Sequence, residues 1–231
     1  MELLKHFDRN TAGRDLIVGD VHGCFTKLQA ALDALKFDPA RDRLFSVGDL
    51  VDRGQESDDA TEWLAKPWFH AVRGNHEQMA IDFAAGFGDP RLYMMNGGAW
   101  FIGHPKSHQQ WMADQFAALP IAIEVETEHG LVGIVHAECP TIRWQDLRDA
   151  LTGPASNGFQ QLCMWSRDRI TGELVDHTEG VSAVIVGHTP VERWTTLGNT
   201  IYIDSGAWLP PHRGDRPFTI LDAATLRPAQ S

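Results

Sequence analysis

The chain has 231 residues, 43% of them hydrophobic and 22% charged, the make-up of a soluble globular chain with one domain, two at most. Its 31 acidic against 20 basic residues leave a formal charge of −11, which speaks against a sequence-independent grip on nucleic acid or on an anionic membrane. Cys24, Cys139 and Cys163 stand at wide spacings without a CxxC pair, so they read as reduced thiols of a cytoplasmic protein. The opening MELLKHFDRNTAGRD lacks the apolar centre of a secretory signal, and the chain offers no apolar run long enough for a membrane span.

In chain order, Leu16-Ile17-Val18 reads as a buried strand, and residues 25–35 place Leu28, Ala31, Leu32 and Leu35 at helical spacing. Residues 44–47 repeat the strand signal, residues 56–64 the helical one, and residues 68–72 give a third strand before a helix over 77–83. That βαβαβα order predicts a mostly parallel sheet with crossover helices. Further on, Ile121, Ile123 and Val125 alternate with Glu124 and Glu126, His129-Gly130 offers a turn, and residues 131–135 run apolar, which predicts a hairpin. Its alternation assigns Glu124, Glu126 and Glu128 to a solvated face. Residues 181–186 and 200–203 add strands, residues 152–158 read as a surface loop, and the tail beyond Ala223 is expected to fray. No repeat and no clean linker divides the chain, so residues 1–231 are expected to form a single domain.

Three clusters fall where the first three strands end: Gly19-Asp20-Val21-His22-Gly23, Gly48-Asp49-Leu50-Val51-Asp52-Arg53-Gly54 and Arg73-Gly74-Asn75-His76-Glu77. The 26 residues between His22 and Asp49, and the 21 between Arg53 and Asn75, each fit one helix plus one strand. Loops at the carboxyl ends of parallel strands converge over one crevice, so Asp20, His22, Asp49, Asp52, Arg53, Asn75 and His76 are expected to meet. Their oxygen and nitrogen donors suit manganese, iron or zinc. His136 and His188, each closing an apolar run, are placed to complete such a site.

These motifs resemble the signature of the metallophosphoesterases, and within them the phosphoprotein phosphatase family, whose GDxHG, GDxVDRG and RGNHE patterns are matched at every fixed position. The likeness extends through residues 71–79, Met95-Asn96-Gly97-Gly98, residues 165–170, Gly187-His188-Thr189-Pro190 and residues 202–207. It is greatest to the short phage and bacterial serine/threonine protein phosphatases, since Ala137-Glu138 follows His136 where eukaryotic members usually carry glycines. The resemblance implies the calcineurin-like variant of the α/β class, a central mixed β-sandwich flanked by helices with a dinuclear metal site at strand ends. It implies that Asp20, His22 and Asp49 hold one divalent metal ion and Asp49, Asn75, His136 and His188 the other, Asp49 bridging them. Manganese is the first choice of metal, with iron, zinc, nickel or magnesium as alternatives.

By the same resemblance, His76 is the general acid and Asp52 orients it, while Arg53, Asn75 and Arg167 bind the phosphoryl group, Arg167 being preferred to Arg169. The implied reaction is hydrolysis of phosphoserine and phosphothreonine monoesters, with phosphotyrosine as a further candidate, by direct attack of a metal-bound hydroxide. The implied partners are phosphorylated proteins or peptides, not nucleic acid or membranes. A symmetrical dinucleoside tetraphosphatase is the alternative, but those enzymes typically carry Ala in place of Asp52 and usually Asp in place of Glu77. A catalytically silent metal-binding module is a third reading, and it predicts a lost ligand or acid where none is lost.

Arg73 and Glu77 are expected to pin the third loop, and Asp204 to make a turn or support the site from behind. Trp165 and Trp208 lie near motif segments and are placed to shape the cleft. His104, His108, His129, His177 and His212 read as surface or loop residues, and residues 138–164 are expected to shape the substrate surface. Two bound cations with Arg53 and Arg167 would make a positive pocket on an acidic chain, so the net charge does not exclude a phosphate ligand.

Overall fold

The computed structural model describes residues 2–153 and 156–230. Two sheets stack face to face with helices on both outer sides. The first sheet is built on β2 (Asp15–Val18), β3 (Arg43–Ser46) and β4 (Phe69–Ala71), parallel to one another, and is extended antiparallel by β10 (Ile220–Asp222) and β11 (Arg227–Pro228). The second runs in the order β1 (Leu4–Phe7), β5 (Ala122–Thr127), β6 (Gly130–Val135), β7 (Ala183–Val186), β9 (Thr200–Tyr202) and β8 (Thr195–Leu197). Within it β5 and β6 form the antiparallel hairpin read from the sequence, whereas β6, β7 and β9 are parallel.

Alternation along each strand sorts the side chains into layers. Ile17 and Phe45, with Val47 and Val72, face Ile123, Ile134, Ile185 and Ile201 across the two sheets. The opposite face of the first sheet, through Leu16, Val18, Leu44 and Phe69, packs against α1 (Phe25–Ala34), α2 (Ala60–Leu64), α3 (Asn75–Ala84) and α6 (Lys106–Ala117). Two further short helices, α4 (Pro90–Met95) and α5 (Ala99–Ile102), add Tyr93 and Phe101 to that layer. The outer face of the second sheet lies under α7 (Trp144–Thr152) and α8 (Ser156–Trp165), with α9 (Asp168–Thr171) following. Strands covered on both faces lose the polar alternation of a half-exposed sheet, which is why 16–18 and 183–186 read as unbroken apolar runs.

Four expectations change. The tail does not fray: β11 pairs with β10, and the amide of Ala229 donates to the carbonyl of Ile220 at 2.8 Å. Thr152 ends α7 and residues 156–158 begin α8, so the expected loop shrinks to the joint between two helices, where Pro154 and Ala155 lie outside the described residues. Residues 138–164 serve mainly as the cover of the second sheet, burying Trp144, Leu147, Leu151, Cys163 and Met164. Glu124 is not solvated either, being 1% exposed. It sits opposite Gly133 in the hairpin, where a side chain on Gly133 would overlap the Trp144 ring. Its carboxylate accepts the Trp144 indole N–H at 2.6 Å and the Arg148 guanidinium at 2.7 Å, and meets His6 at 3.0 Å.

Burial alone would raise the Glu124 carboxyl, but Arg148, Trp144 and His6 outweigh it and hold the group below its ordinary range. A depressed carboxyl contributes stability that is complete above the unfolded-state pKa, about 4.3, and is lost as pH falls through the folded value. Thermal unfolding followed by circular dichroism should therefore show a steeper acid decline for the wild type than for Glu124→Gln. At neutral pH, Glu124→Ala, which strands the buried indole N–H, should cost about 2 kcal/mol.

Candidate metal centre

The carboxyl ends of β2, β3 and β4 in one sheet and of β6, β7 and β9 in the other deliver Asp20, Asp49, Asn75, His136, His188 and Asp204 to one buried cluster. The turns that carry them are strained. His22, Asp49, Asp52, Arg53 and His188 have φ of 45°, 52°, 69°, 68° and 64°, the left-handed region that costs a non-glycine residue roughly 1 kcal/mol or more. Such turns persist where neighbours over-determine them: Asp20 accepts the amide of His188, the carbonyl of Asp49 that of His22, and Glu77 braces the second motif. Its buried carboxylate accepts the amides of Gly74 at 2.8 Å, Asp49 at 3.0 Å, Leu50 at 2.7 Å and Val51 at 3.3 Å. Burial, followed by the Asp49 charge, pushes its carboxyl up to about 7 while those amides pull it back. Arg73 ties the same loop to the end of α6 through the carbonyls of Ala117 and Leu119, so both residues brace the third motif as expected. Gly74 and Gly187 leave the necessary space, because a side chain at either would overlap the carboxylates of Asp49 and Asp20 respectively.

Two donor sets share Asp49. Its Oδ2 stands 3.6 Å from Nε2 of His22, which in turn is 3.9 Å from Oδ2 of Asp20. On the other side the same Oδ2 is 3.4 Å from Nε2 of His136. There His136 Nε2, His188 Nδ1 and Asn75 Oδ1 lie 2.9, 2.9 and 3.2 Å apart in pairs, close to the ~3 Å that separates neighbouring ligands bonded at ~2.1 Å to a small cation. The carbonyls of Val51 and Val47 accept Nδ1–H of His22 at 2.8 Å and of His136 at 2.7 Å, which turns both Nε2 lone pairs into the cluster. Nε2 of His22, Nε2 of His188 and Oδ2 of Asp204 are buried without a hydrogen-bond partner, an arrangement that is unfavourable unless something else satisfies them. Converging lone pairs, a shared carboxylate and the orphaned His22 nitrogen fit a pair of divalent cations.

The electrostatics agree with that fit. Burial depresses His22 well below its ordinary value, and burial followed by His136 takes His188 down to about 3, leaving both neutral and able to ligate. Burial, then the Asp204 carboxylate, pushes Asp20 well up. Burial acts the same way on Asp49, but the imidazoles of His136 and His76 outweigh it and hold that carboxyl well below the usual range. Against its own burial, His136 rises to about 9 under the pull of Asp49. A site that draws a proton this strongly draws a cation by the same field.

Beside the donor sets stands a buried pair, His76 Nδ1 against Asp52 Oδ2 at 2.6 Å. The other Asp52 oxygen accepts the Trp100 indole N–H at 2.7 Å and the Tyr93 hydroxyl at 3.3 Å. His76 Nε2 faces Nη2 of Arg53 at 3.1 Å. The Arg53 guanidinium lies 4.1 Å over the ring of Trp208, whose edge meets His22 at 4.8 Å and whose Nε1 donates to Asp204 at 3.3 Å. Asp204 also caps its own turn through the amide of Gly206 at 2.8 Å; both expected roles are present. Trp165 sets its ring 6.1 Å from His188. Arg167 is exposed and close enough to lower His188, whereas Arg169 is buried and spends its guanidinium on the carbonyls of Leu174 and Asp176. Glu138, which accepts Ser166 Oγ at 2.7 Å and the Arg169 amide at 3.2 Å, orients this segment.

All ten sequence-selected site residues thus gather on one edge, Arg167 at its rim. Tyr93 and Trp100 are the additions. The one hint of them in the sequence is that a buried indole or phenol needs a polar partner, which does not say where that partner lies.

Two nitrogen and oxygen donor sets around a shared carboxylate, at the common edge of two stacked sheets, make up a candidate site for a pair of metal ions. The chain belongs to the calcineurin-like phosphoesterases, whose family model matches residues 14–192. It is 39% identical over 199 residues to serine/threonine-protein phosphatase 1 of Salmonella typhimurium, a match covering 83% of this chain and 85% of that one. A symmetrical bis(5'-nucleosyl)-tetraphosphatase of Methylococcus capsulatus is also 39% identical, but over 71 residues, 30% of this chain and 26% of the other. A protein serine/threonine phosphatase from Saccharomyces cerevisiae shares the fold, with a TM-score of 0.56 at 16% identity over 96% of this chain and 84% of that one.

Proposed function

We propose that this protein is a metal-dependent phosphoprotein phosphatase that hydrolyses phosphoserine and phosphothreonine monoesters, with phosphotyrosine as a further substrate. The observation that carries this reading is the His76–Asp52 contact of 2.6 Å beside two donor sets that share Asp49. Ester hydrolysis needs a proton for the departing oxygen, and a buried imidazole backed by a carboxylate is built to hold one. The likeness to the Salmonella phosphatase along most of both chains supports the same substrate class.

Asp20, His22 and Asp49 would hold one cation, and Asp49, Asn75, His136 and His188 the other. When bound, two divalent cations supply Lewis-acid charge and an acidified water. Nitrogen and oxygen donors without a thiolate suit manganese, our first choice, and equally admit iron, zinc, nickel or magnesium. Arg53, Asn75 and Arg167 bind the phosphoryl oxygens, the guanidinium forks matching two oxygens at a time. Arg53 rests against His76 Nε2 in the structure, so its move onto a phosphoryl group frees that nitrogen to carry the acid proton, with Asp52 fixing the ring through Nδ1. Trp208 limits where the guanidinium travels.

We read residues 1–231 as one catalytic unit, because β10 near the C-terminus pairs with β2 and β1 pairs with β5. Phosphorylated proteins are its partners, and a reducing cytoplasm suits its three unbridged cysteines. Among the described residues no helix is long and apolar enough to cross a membrane.

Dinucleoside tetraphosphate hydrolysis is the competing activity. Steady-state rates on phosphoserine, phosphothreonine and phosphotyrosine peptides and on diadenosine tetraphosphate, with manganese, magnesium, nickel and zinc in turn, should favour a phosphopeptide in kcat/KM by at least about tenfold, roughly 1.4 kcal/mol. The opposite order would replace the proposed function with the dinucleotide one.

A further inference from the structure

Outside the centre, three metal-ligating side chains meet on the far side of Trp100. Asp58, in the turn before α2, and His104 and His108, at the start of α6, each place one ligand atom within 4.8 Å of the other two. His104 Nε2 is 2.7 Å from Asp58 Oδ1, and the His104 and His108 rings are 4.7 Å apart.

The group is held in shape. His104 precedes Pro105, the extended N-cap of α6, and His108 lies in the first turn of that helix, so the bend at Pro105 folds the His104 ring back beside that of His108. His108 stacks on Trp111 at 5.3 Å with 24° between the rings. The Gln109 amide donates to the carbonyls of Phe101 at 3.0 Å and His104 at 2.9 Å, fixing the main chain that presents His104. On the other side, Ser57 Oγ donates to the carbonyl of Gly54 at 3.1 Å and anchors the turn that presents Asp58. The side chains are open to solvent, Asp58 by 55% and His104 by 26%, so a hydrated ion reaches them.

We propose that Asp58, His104 and His108 form an additional divalent-cation site, distinct from the dinuclear centre. Two imidazoles and one carboxylate select a transition ion of the zinc, nickel or cobalt type over calcium or magnesium, which take oxygen ligands, and the remaining coordination positions stay open to water. The site is joined to the acid pair by one residue. Trp100 meets the His104 ring at 5.9 Å and donates its indole N–H to Asp52 at 2.7 Å, so a cation there touches the acid pair through that one side chain.

Equilibrium dialysis of the full chain against buffered free zinc in the micromolar range, with the metal counted per chain, tests this. His108→Gln and Asp58→Asn, both substitutions of solvent-accessible side chains, should each bind one zinc fewer than the wild type with circular dichroism and Tm unchanged in zinc-free buffer. Asp49→Asn, which disables the dinuclear centre, should keep the outer equivalent and lose it on adding His108→Gln. Equal zinc counts in the wild type and either single variant would overturn the proposal, whatever the centre itself holds.

Discussion

His76→Asn should lower kcat on a phosphopeptide by about 10²- to 10³-fold, within the usual range for a general acid, while leaving the metal content of the centre unchanged. The geometry separates the two outcomes. His76 Nε2 is 3.8 Å from Oδ2 of Asp49, near enough to be mistaken for a third ligand beside His22. It also faces the Arg53 guanidinium at 3.1 Å, a neighbour that repels a metal cation and welcomes a phosphate. The hydrogen bond His76 gives Asp49 comes from its backbone amide, donated to Oδ1 at 3.0 Å, and asparagine keeps that amide. The loss should depend on the leaving group: severe for a serine alkoxide, which needs the proton, and small for an aryl oxide that departs without it. Equal losses on both substrates would remove His76 from the acid role, and a fall in bound metal would make it a ligand.

The parts of the molecule legible in the sequence are those where one strand ends and one loop carries the chemistry. The three motif clusters announce themselves because glycine, aspartate and histidine crowd into a few positions after an apolar run, and the strand-helix spacing brings the runs side by side. Glu124 misleads for the opposite reason. Alternation in a hairpin says which face a residue is on, but not whether a helix from farther along covers that face, and α7 does so through Trp144 and Arg148. The same holds for β1, a four-residue edge strand with Lys5 and His6 exposed, whose partner β5 lies more than a hundred residues away. Backbone strain leaves no trace at all: that His22, Asp49, Asp52, Arg53 and His188 sit at positive φ follows from the packing of loops from several strands, with Glu77 bracing the loop of Asp49.

The second sheet explains why His136 and His188 carry a weaker signal in the sequence. Each is a lone histidine after an apolar run, the pattern of many structural histidines, and only the parallel pairing of β6 with β7, strands nearly fifty residues apart, sets them within 3.2 Å of each other. The surplus of acidic residues is likewise uninformative until the cluster is seen. Asp20, Asp49, Asp52 and Asp204 are all 2% exposed or less, so they add little to the surface field that composition describes and much to the field inside.

Asp49→Asn tests that inner field. Asp49 is the one residue common to both donor sets, at 3.6 Å from His22 Nε2 and 3.4 Å from His136 Nε2, and the amide replaces its charge with a neutral oxygen and an N–H donor aimed at a cation position. Since loss of a partner that merely orients a ligand weakens metal affinity about 10- to 100-fold, loss of the shared ligand should exceed about 100-fold and take the phosphatase activity with it. The fold should survive. Asparagine keeps the oxygen that accepts the His76 amide, and without the Asp49 charge the main pull that raises His136 is gone, so that imidazole need not stay buried as an unpaired cation. Manganese held at about a hundred times the wild-type dissociation constant should stabilise the wild type by roughly 2.7 kcal/mol and the Asp49→Asn variant by little or nothing, read as a shift in Tm with and without chelator. The same manganese-dependent shift in both proteins would mean that the cations are held elsewhere, and that the shared carboxylate does not organise the site.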